Sequence, residues 1–251
     1  MSLRTHSLSR GNYNPIRSCC VSVMLAGLIF LIRTECSSGA EAAVEHLSRS
    51  VSADTKALMD HLASRYPNAI ERDARGNIVS VQFGSYDFLN DKNLWLLSSL
   101  PELKSVTLSY HAKTKQPTAT GIAFLQRAPQ LKWLTLSCSP EMPTSVLGGV
   151  ASLTQLQRLS LLEAFAVDPN AYLCLTNLTA LKRLDVWSLR VLKPAWFQPL
   201  RALRQLREVH IHYNEDPDDE SLQAILSLSN LTNIVIETRK SVVTQTRQPK
   251  Q

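Results

Sequence analysis

The 251-residue sequence predicts an α/β repeat protein in which short parallel strands alternate with helices. Leucine is unusually common, with 39 copies. An LxxLxL-type template recurs seven times, and its leading positions 78, 103, 131, 156, 181, 206 and 231 are spaced 25, 28, 25, 25, 25 and 25 residues apart. Between the copies, apolar residues recur at every third position, which is the spacing of one face of a helix or 3-10 segment. Neither element can bury its apolar side alone, so stacked neighbours should form one continuous core.

The template copies Leu103–Leu108 and Leu156–Leu161, with helical segments such as Gly121–Leu125, make residues 78–236 resemble a leucine-rich-repeat protein. The unit of about 25 residues is similar to the ribonuclease-inhibitor-like and cysteine-containing subclasses, which are common among exported bacterial proteins. The resemblance implies a curved solenoid with a parallel sheet on its concave side and helices on its convex side. The family's asparagine after each strand would fall at 86, 111, 139, 164, 189 and 214, where only position 214 is asparagine.

Residues 1–42 are predicted to be a signal peptide or an N-terminal anchor. Three arginines and no acid precede the uncharged apolar run 19–32. This run is shorter than the roughly 20 residues of a transmembrane helix and fits the apolar region of a signal peptide. Cleavage after Ala40 or Ala42 suits the small residues there, and an uncleaved anchor with its basic end in the cytoplasm is the alternative. We therefore expect an exported protein, periplasmic, on the cell surface or secreted, which contacts membrane only through this segment if it is uncleaved.

The segments that flank the repeats are predicted to differ from each other. Residues 43–77 carry apolar residues at helical spacing up to Pro67, and we expect a helical N-terminal cap. Residues 237–251 are basic and rich in Thr and Gln, which predicts a flexible tail and leaves the strand at Ile234 as a possible exposed edge. In the last repeat, the acidic run 215–220 precedes a helix and should cap its N-terminus.

The charge of the chain lies at its ends. The formal net charge is +6, but residues 41–238 hold 19 basic and 20 acidic residues, a net of −1. A neutral body removes the main argument for a nucleic-acid partner, so we expect none. Cys138 and Cys174 are the cysteines beyond the N-terminal segment, and they form neither a disulfide framework nor a metal-type spacing. No cofactor is expected.

Alternation along the predicted strands sends the residues between the core positions to the concave surface. Tryptophan, arginine and other polar residues collect there in the middle and later repeats, a composition that is typical of binding hot spots. We expect a protein partner to bind at Trp133, Arg158, Arg183, Asp185, Trp187, Glu208, His210 and His212.

Three residues of this set allow a different interpretation. Asp185 should lie beside His210 on the next strand, and His212 shares its face, so the trio could bind zinc or perform acid–base chemistry. A metal- or His-dependent enzyme and a purely structural envelope component are therefore the alternatives to a binding module. The sequence contains no GxSxG, HExxH, P-loop or GxGxxG motif. Because the repeats fill the body of the chain and leave little of it for a catalytic domain, we expect no enzyme.

Overall fold

The computed structural model describes residues 38–66, 68–84, 89–109, 117–137, 145–163, 169–189, 197, 199–213, 218–238 and 241–247. It divides into two units, 1–53 and 54–251. In the first unit, the described residues 38–53 belong to helix α1 (Ser38–Arg65). Both predicted cleavage points, Ala40 and Ala42, therefore lie inside this helix, whereas the apolar run 19–32 falls outside the described residues. Among the helices that the structure describes, none is long and apolar enough to cross a bilayer.

The second unit is built on a nine-stranded sheet whose strands follow one another in sequence order. The middle seven strands run parallel to each other, and the first and last strands pair antiparallel with their neighbours. The seven template copies therefore form parallel strands, as predicted. The strands are β1 (Ile70–Arg72), β2 (Ile78–Phe83), β3 (Ser105–Ser109), β4 (Trp133–Ser137), β5 (Arg158–Leu162), β6 (Arg183–Leu189), β7 (Glu208–Tyr213), β8 (Asn233–Glu237) and β9 (Val242–Thr246).

Short helical segments connect the parallel strands, at the positions where every third residue is apolar. Some are α-helical and others are 3-10 segments, which tolerate the same three-residue spacing. In chain order they are α2 (Asp91–Leu97), α3 (Ala119–Phe124), η1 (Leu125–Arg127), α4 (Ser145–Val150), η2 (Pro169–Asn177), η3 (Pro199–Ala202) and α5 (Asp219–Leu226). Asp218 caps α5 by accepting a hydrogen bond from the backbone N–H of Ser221 (2.7 Å), which confirms the capping role predicted for the acidic run.

The core lies between the sheet and these helical segments. In β3 the inward residues Val106 and Leu108 are fully buried, and the equivalent pairs of β4 to β8 are buried as well. The helical segments contribute buried residues such as Leu125 of η1 and Leu147 of α4. Full burial of one such aliphatic side chain contributes about 1.5–3 kcal/mol, so the repeated pattern stabilises the stack at every level.

A backbone ladder at the start of each strand fixes the register of the repeats. The carbonyl of Lys104 accepts hydrogen bonds from the N–H groups of Lys132 (2.9 Å) and Trp133 (3.0 Å). The same pattern recurs one repeat later, where Lys132 accepts from the next two strand-entry residues. Side-chain amides add to it: Asn230 donates to the carbonyl of Leu203 (3.1 Å) in the preceding repeat. Equivalent residues of neighbouring strands are therefore held side by side.

The two ends of the sheet differ from the sequence-based predictions. Within 43–77, helix α1 is followed by β1, which pairs with β2, and the helical pattern gave no sign of this strand. In place of the loose tail predicted for 237–251, β9 pairs with β8 along its length, so Ile234 does not lie on an exposed edge. The physical reason is that four of the five residues of Val242–Thr246 are β-branched and favour a strand, and this strand satisfies the backbone groups that β8 would otherwise leave open.

Candidate functional site

The candidate site lies on the side of the sheet that faces away from the helical segments, which we call the open face. The parallel register arranges its residues in three rows, with neighbours on adjacent strands about 4.8 Å apart. The first row is Ser105, Trp133, Arg158, Arg183, Glu208 and Asn233. The second is Thr107, Thr135, Ser160, Asp185, His210 and Val235, and the third includes Trp187, His212 and Glu237.

Asp185 is the centre of a hydrogen-bonded ion cluster on this face. It is only 1% exposed, although it lies at an outward position of β6. Its Oδ2 accepts hydrogen bonds from Arg158 Nε (2.9 Å) and Ser160 Oγ (3.0 Å), and its Oδ1 accepts one from Arg183 Nε (2.8 Å). A buried carboxylate is stable only if it is paired and hydrogen-bonded. Three donors from two strands meet that condition here.

The two arginines that hold Asp185 also reach solvent. The side chains of Arg158 and Arg183 are 46% and 36% exposed, and Arg183 Nη1 donates a second ion-pair hydrogen bond to Glu208 Oε2 (3.1 Å). Partial burial opposes the charge of Arg183, but its hydrogen bond to Asp185 and the negative charges of Asp185 and Glu208 outweigh this and raise the pKa of its guanidinium. Arg183 is therefore a fixed positive charge with a determined orientation.

Trp187 packs against the two histidines of β7. Its ring is stacked on His212 with centroids 5.2 Å apart and an interplanar angle of 17°, and it meets His210 at the same distance in a tilted arrangement. His210 lies between two carboxylates, with Nδ1 4.0 Å from Asp185 Oδ1 and Nε2 3.4 Å from Glu237 Oε1. Much of the surface of Trp187 is consequently used for packing within the site.

Trp133 differs from Trp187. It is 53% exposed at the first position of β4, and its register partner on β5 is Arg158. An indole ring that remains half in water contributes little to the core, so the ring is available to contact a partner. The first row thus presents an exposed aromatic ring next to an arginine whose Nε is fixed by Asp185.

The structure brings the predicted residues together, but it gives Asp185 a different role from the one considered for a metal site. Asp185 and His210 are register neighbours as predicted. Both oxygens of Asp185 are already engaged by guanidinium and hydroxyl donors. Within the described residues, no group of three or more His, Cys, Asp or Glu side chains is arranged to hold a metal ion. Asp185 is therefore a carboxylate paired with two arginines.

Sequence reasoning did not include two residues among the predicted site residues: Ser160, which donates to Asp185, and Glu237, which lies 3.4 Å from His210 Nε2. It also missed that Arg158 and Arg183 are the partners of Asp185. The signal for the arginines was present, because the repeat spacing places 158, 183 and 208 in one row and Asp185 one row away. Opposite charges on neighbouring rows of a regular sheet are expected to pair.

A stack of parallel strands, each followed by a short helical segment and repeated at about 25 residues, defines a leucine-rich-repeat-like solenoid. No protein-family model matches the chain, and no curated protein matches it. Solved structures do match, among them an internalin C2 (inlC2) from Listeria monocytogenes str. 4b F2365, at 14% identity and a TM-score of 0.34. That match covers 63% of this chain and 80% of the internalin chain. The assignment of the fold rests on the strand order, register and burial pattern described above.

Proposed function

We propose that this chain is an exported leucine-rich-repeat binding module that engages a protein partner through its open face and performs no catalysis. The observation that carries the proposal is the exposed indole of Trp133 in the same row as Arg158 and Arg183. Tryptophan and arginine are the residues most enriched at the energetic centres of protein interfaces. Solenoids of this type present an extended sheet surface suited to such binding.

The ion cluster supports binding because it is already ordered. Arg158 and Arg183 are held by Asp185 at 2.9 and 2.8 Å, so part of their side-chain freedom is lost before a partner arrives. Ordering a long side chain on binding costs about 0.5–1.5 kcal/mol, and a pre-organised arginine avoids much of that cost. The remaining donors of both guanidinium groups are available for carboxylate or carbonyl groups of a partner.

The balance of charge on the open face favours a protein over a polyanion. Arg158 and Arg183 supply two positive charges, and Asp185, Glu208 and Glu237 supply three negative ones within the same three rows. A nucleic acid would require a surface of one positive sign. A mixed surface with an exposed aromatic ring is typical of a protein interface.

The N-terminal cap predicted for 43–77 is part of this proposal. Within the second unit, Leu58, Met59 and Leu62 of helix α1 are buried, and β1 pairs with the free side of β2. Both features would close the first level of the solenoid. We also place the repeats in the ribonuclease-inhibitor-like or cysteine-containing subclass because of their unit length of about 25 residues.

Binding through the open face is tested by comparing two truncations in the full chain. Trp133→Ala removes the exposed indole, and the matched control Leu173→Ala removes an apolar side chain of similar exposure (55%) on η2, away from the strands. In crosslinking pull-downs from the native source, we expect the Trp133 variant to capture at least tenfold less partner than the wild type does. The control should retain it. Equal capture by both variants would refute binding at the first row.

Export is tested separately, because it rests on the sequence of 1–42. Intact mass measurement of the protein recovered from exported and membrane fractions gives its first residue. We expect a chain that begins at Glu41 or Ala43. Recovery of the complete chain in the membrane fraction would instead support the uncleaved anchor, and recovery only from the cytoplasm would contradict export.

A further inference from the structure

The last strand of the sheet offers a hydrogen-bonding edge. Arg247 donates its backbone N–H to the carbonyl of Thr232 (2.7 Å), and Thr238 donates its own to the carbonyl of Ser241 (2.8 Å). Residues 241 and 247 therefore both form hydrogen-bonded pairs with the β8 side. Because bonding alternates along an antiparallel ladder, the backbone N–H and C=O groups of residues 243 and 245 also point toward β8. The backbone N–H and C=O groups at positions 242, 244 and 246 consequently point away from β8.

The outer edges at the two ends of the sheet differ in how well they are protected from pairing with another strand. At the first end, β1 has three residues, two of them charged (Glu71 and Arg72), and a register shift interrupts its ladder. Short length, charge and irregularity are the devices that protect an edge from further pairing. At the other end, β9 has five regular residues without charge, and Val242 is 64% exposed. Within the described residues, β8 is the strand that pairs with β9.

The edge of β9 is well suited to receive another strand. Its outward side offers three donors and three acceptors at the spacing of an extended chain. The valines and threonines around them favour extended backbone. Addition of a peptide strand to such an edge gains affinity from main-chain hydrogen bonds.

The charge of the residues around β9 determines which kind of strand can pair with its edge. Residues 238–251 contain four basic residues and no acid. A second copy of the chain, paired antiparallel through β9, would bring two such basic segments together and would be repelled. We propose that the β9 edge binds an extended, acidic segment of a partner protein as a tenth strand of the sheet. This site is the backbone edge of β9, next to the last residues of the three rows on β8, whereas the proposed function uses side chains on the open face, so the inference goes beyond the proposed function.

The test uses the full chain and labelled synthetic peptides. The probe has two glutamates on each side of Thr-Val-Thr-Val-Thr, and the comparison peptide has lysines in their place. We expect fluorescence anisotropy to show binding of the acidic peptide at least roughly tenfold tighter than binding of the basic peptide, weakening as salt is added.

Two variants at one position decide whether the edge is responsible. Thr244→Pro removes an outward N–H but no bond to β8, so the strand should persist, as prolines do on strand edges. We expect it to weaken binding of the acidic peptide roughly tenfold. Thr244→Val keeps the N–H and the β-branched shape and should bind as the wild type does. Circular dichroism and thermal melting verify that both variants are folded.

Three results would overturn the proposal. The first is binding by neither peptide, or by both equally. The second is unchanged binding in folded Thr244→Pro. The third is dimerisation of the wild-type chain that Thr244→Pro abolishes, which would make a second copy the occupant. If Thr244→Pro does not fold, Thr246→Pro, which also removes an outward N–H, replaces it with the same expected loss.

Discussion

Replacement of Asp185 by asparagine should be among the most damaging single changes on the open face. Asn keeps the shape of the side chain, but it removes the charge that faces Arg158 and Arg183 and turns an amide donor toward one of them. Each lost charge-assisted hydrogen bond is worth about 1.5–3 kcal/mol. Both guanidinium groups are partly exposed and regain water, which reduces the loss. We therefore expect Asp185→Asn to lower the free energy of unfolding by about 2–4 kcal/mol.

A matched variant removes another carboxylate from the same arginine. Glu208 lies 3.1 Å from Arg183 Nη1, but its side chain is 45% exposed. Exposed ion pairs contribute up to about 1 kcal/mol, so Glu208→Gln should have a small effect. Urea unfolding of the full chain, followed by circular dichroism, measures both variants. If the two substitutions cost the same, or if Asp185→Asn costs less than Glu208→Gln, the described burial and pairing of Asp185 are incorrect.

Three further predictions concern the scaffold and its caps. An added Cβ on Gly149 would lie 2.3 Å from a backbone oxygen of α3, so Gly149→Ala should destabilise the fold by about 1–3 kcal/mol. Gly148→Ala meets open space and should be neutral or stabilising by up to about 1 kcal/mol in thermal melting. Asn90 accepts a backbone N–H of α2 at 3.0 Å, so Asn90→Ala should cost about 1 kcal/mol in urea unfolding. Hydrogen bonds from Ser221 lower the pKa of Asp218. The stability advantage of the wild type over Asp218→Asn should therefore be complete above a pH of about 4 and disappear as the pH falls through the lowered pKa.

Each of these predictions has a contrary result. Equal melting temperatures for the two glycine variants would mean that α3 and α4 do not approach as closely as described. An unchanged unfolding midpoint for Asn90→Ala would remove the cap of α2. An advantage over Asp218→Asn that persists in strong acid would show that the charge at this N-terminus is not its source.

The repeating part of the fold could be predicted from the sequence because the spacing of about 25 residues identifies each strand and its buried positions. The positions 106 and 108, and their equivalents at each later copy, are buried as the template requires. β1 and β9 could not be predicted in the same way, because they lie outside the template and pair antiparallel. For β9, the basic residues around Val242–Thr246 resemble a solvated tail, and the strand forms because β8 offers it an edge.

The candidate site was predicted in composition but not in its interactions. Alternation placed Asp185 and His210 on one face, which the register confirms. It also predicted outward exposure for Asp185, which is instead buried. The burial arises from Arg158 and Ser160 on the preceding strand and from Arg183 on the same strand. Alternation predicts only the face on which a side chain lies and not which neighbours cover it. Trp187 is half-buried for a similar reason, since two histidines of β7 pack against it.

The most direct test of the central claim is site-specific photocrosslinking of the open face to its partner. A photoreactive phenylalanine replaces Trp133 in one full-length protein and Leu173 in another, both of which are exposed positions. The account predicts that the protein labelled at 133 crosslinks to one partner in a fixed ratio and that the protein labelled at 173 does not. Crosslinking of the same partner from 173 alone, or equally from both positions, would contradict binding through the open face.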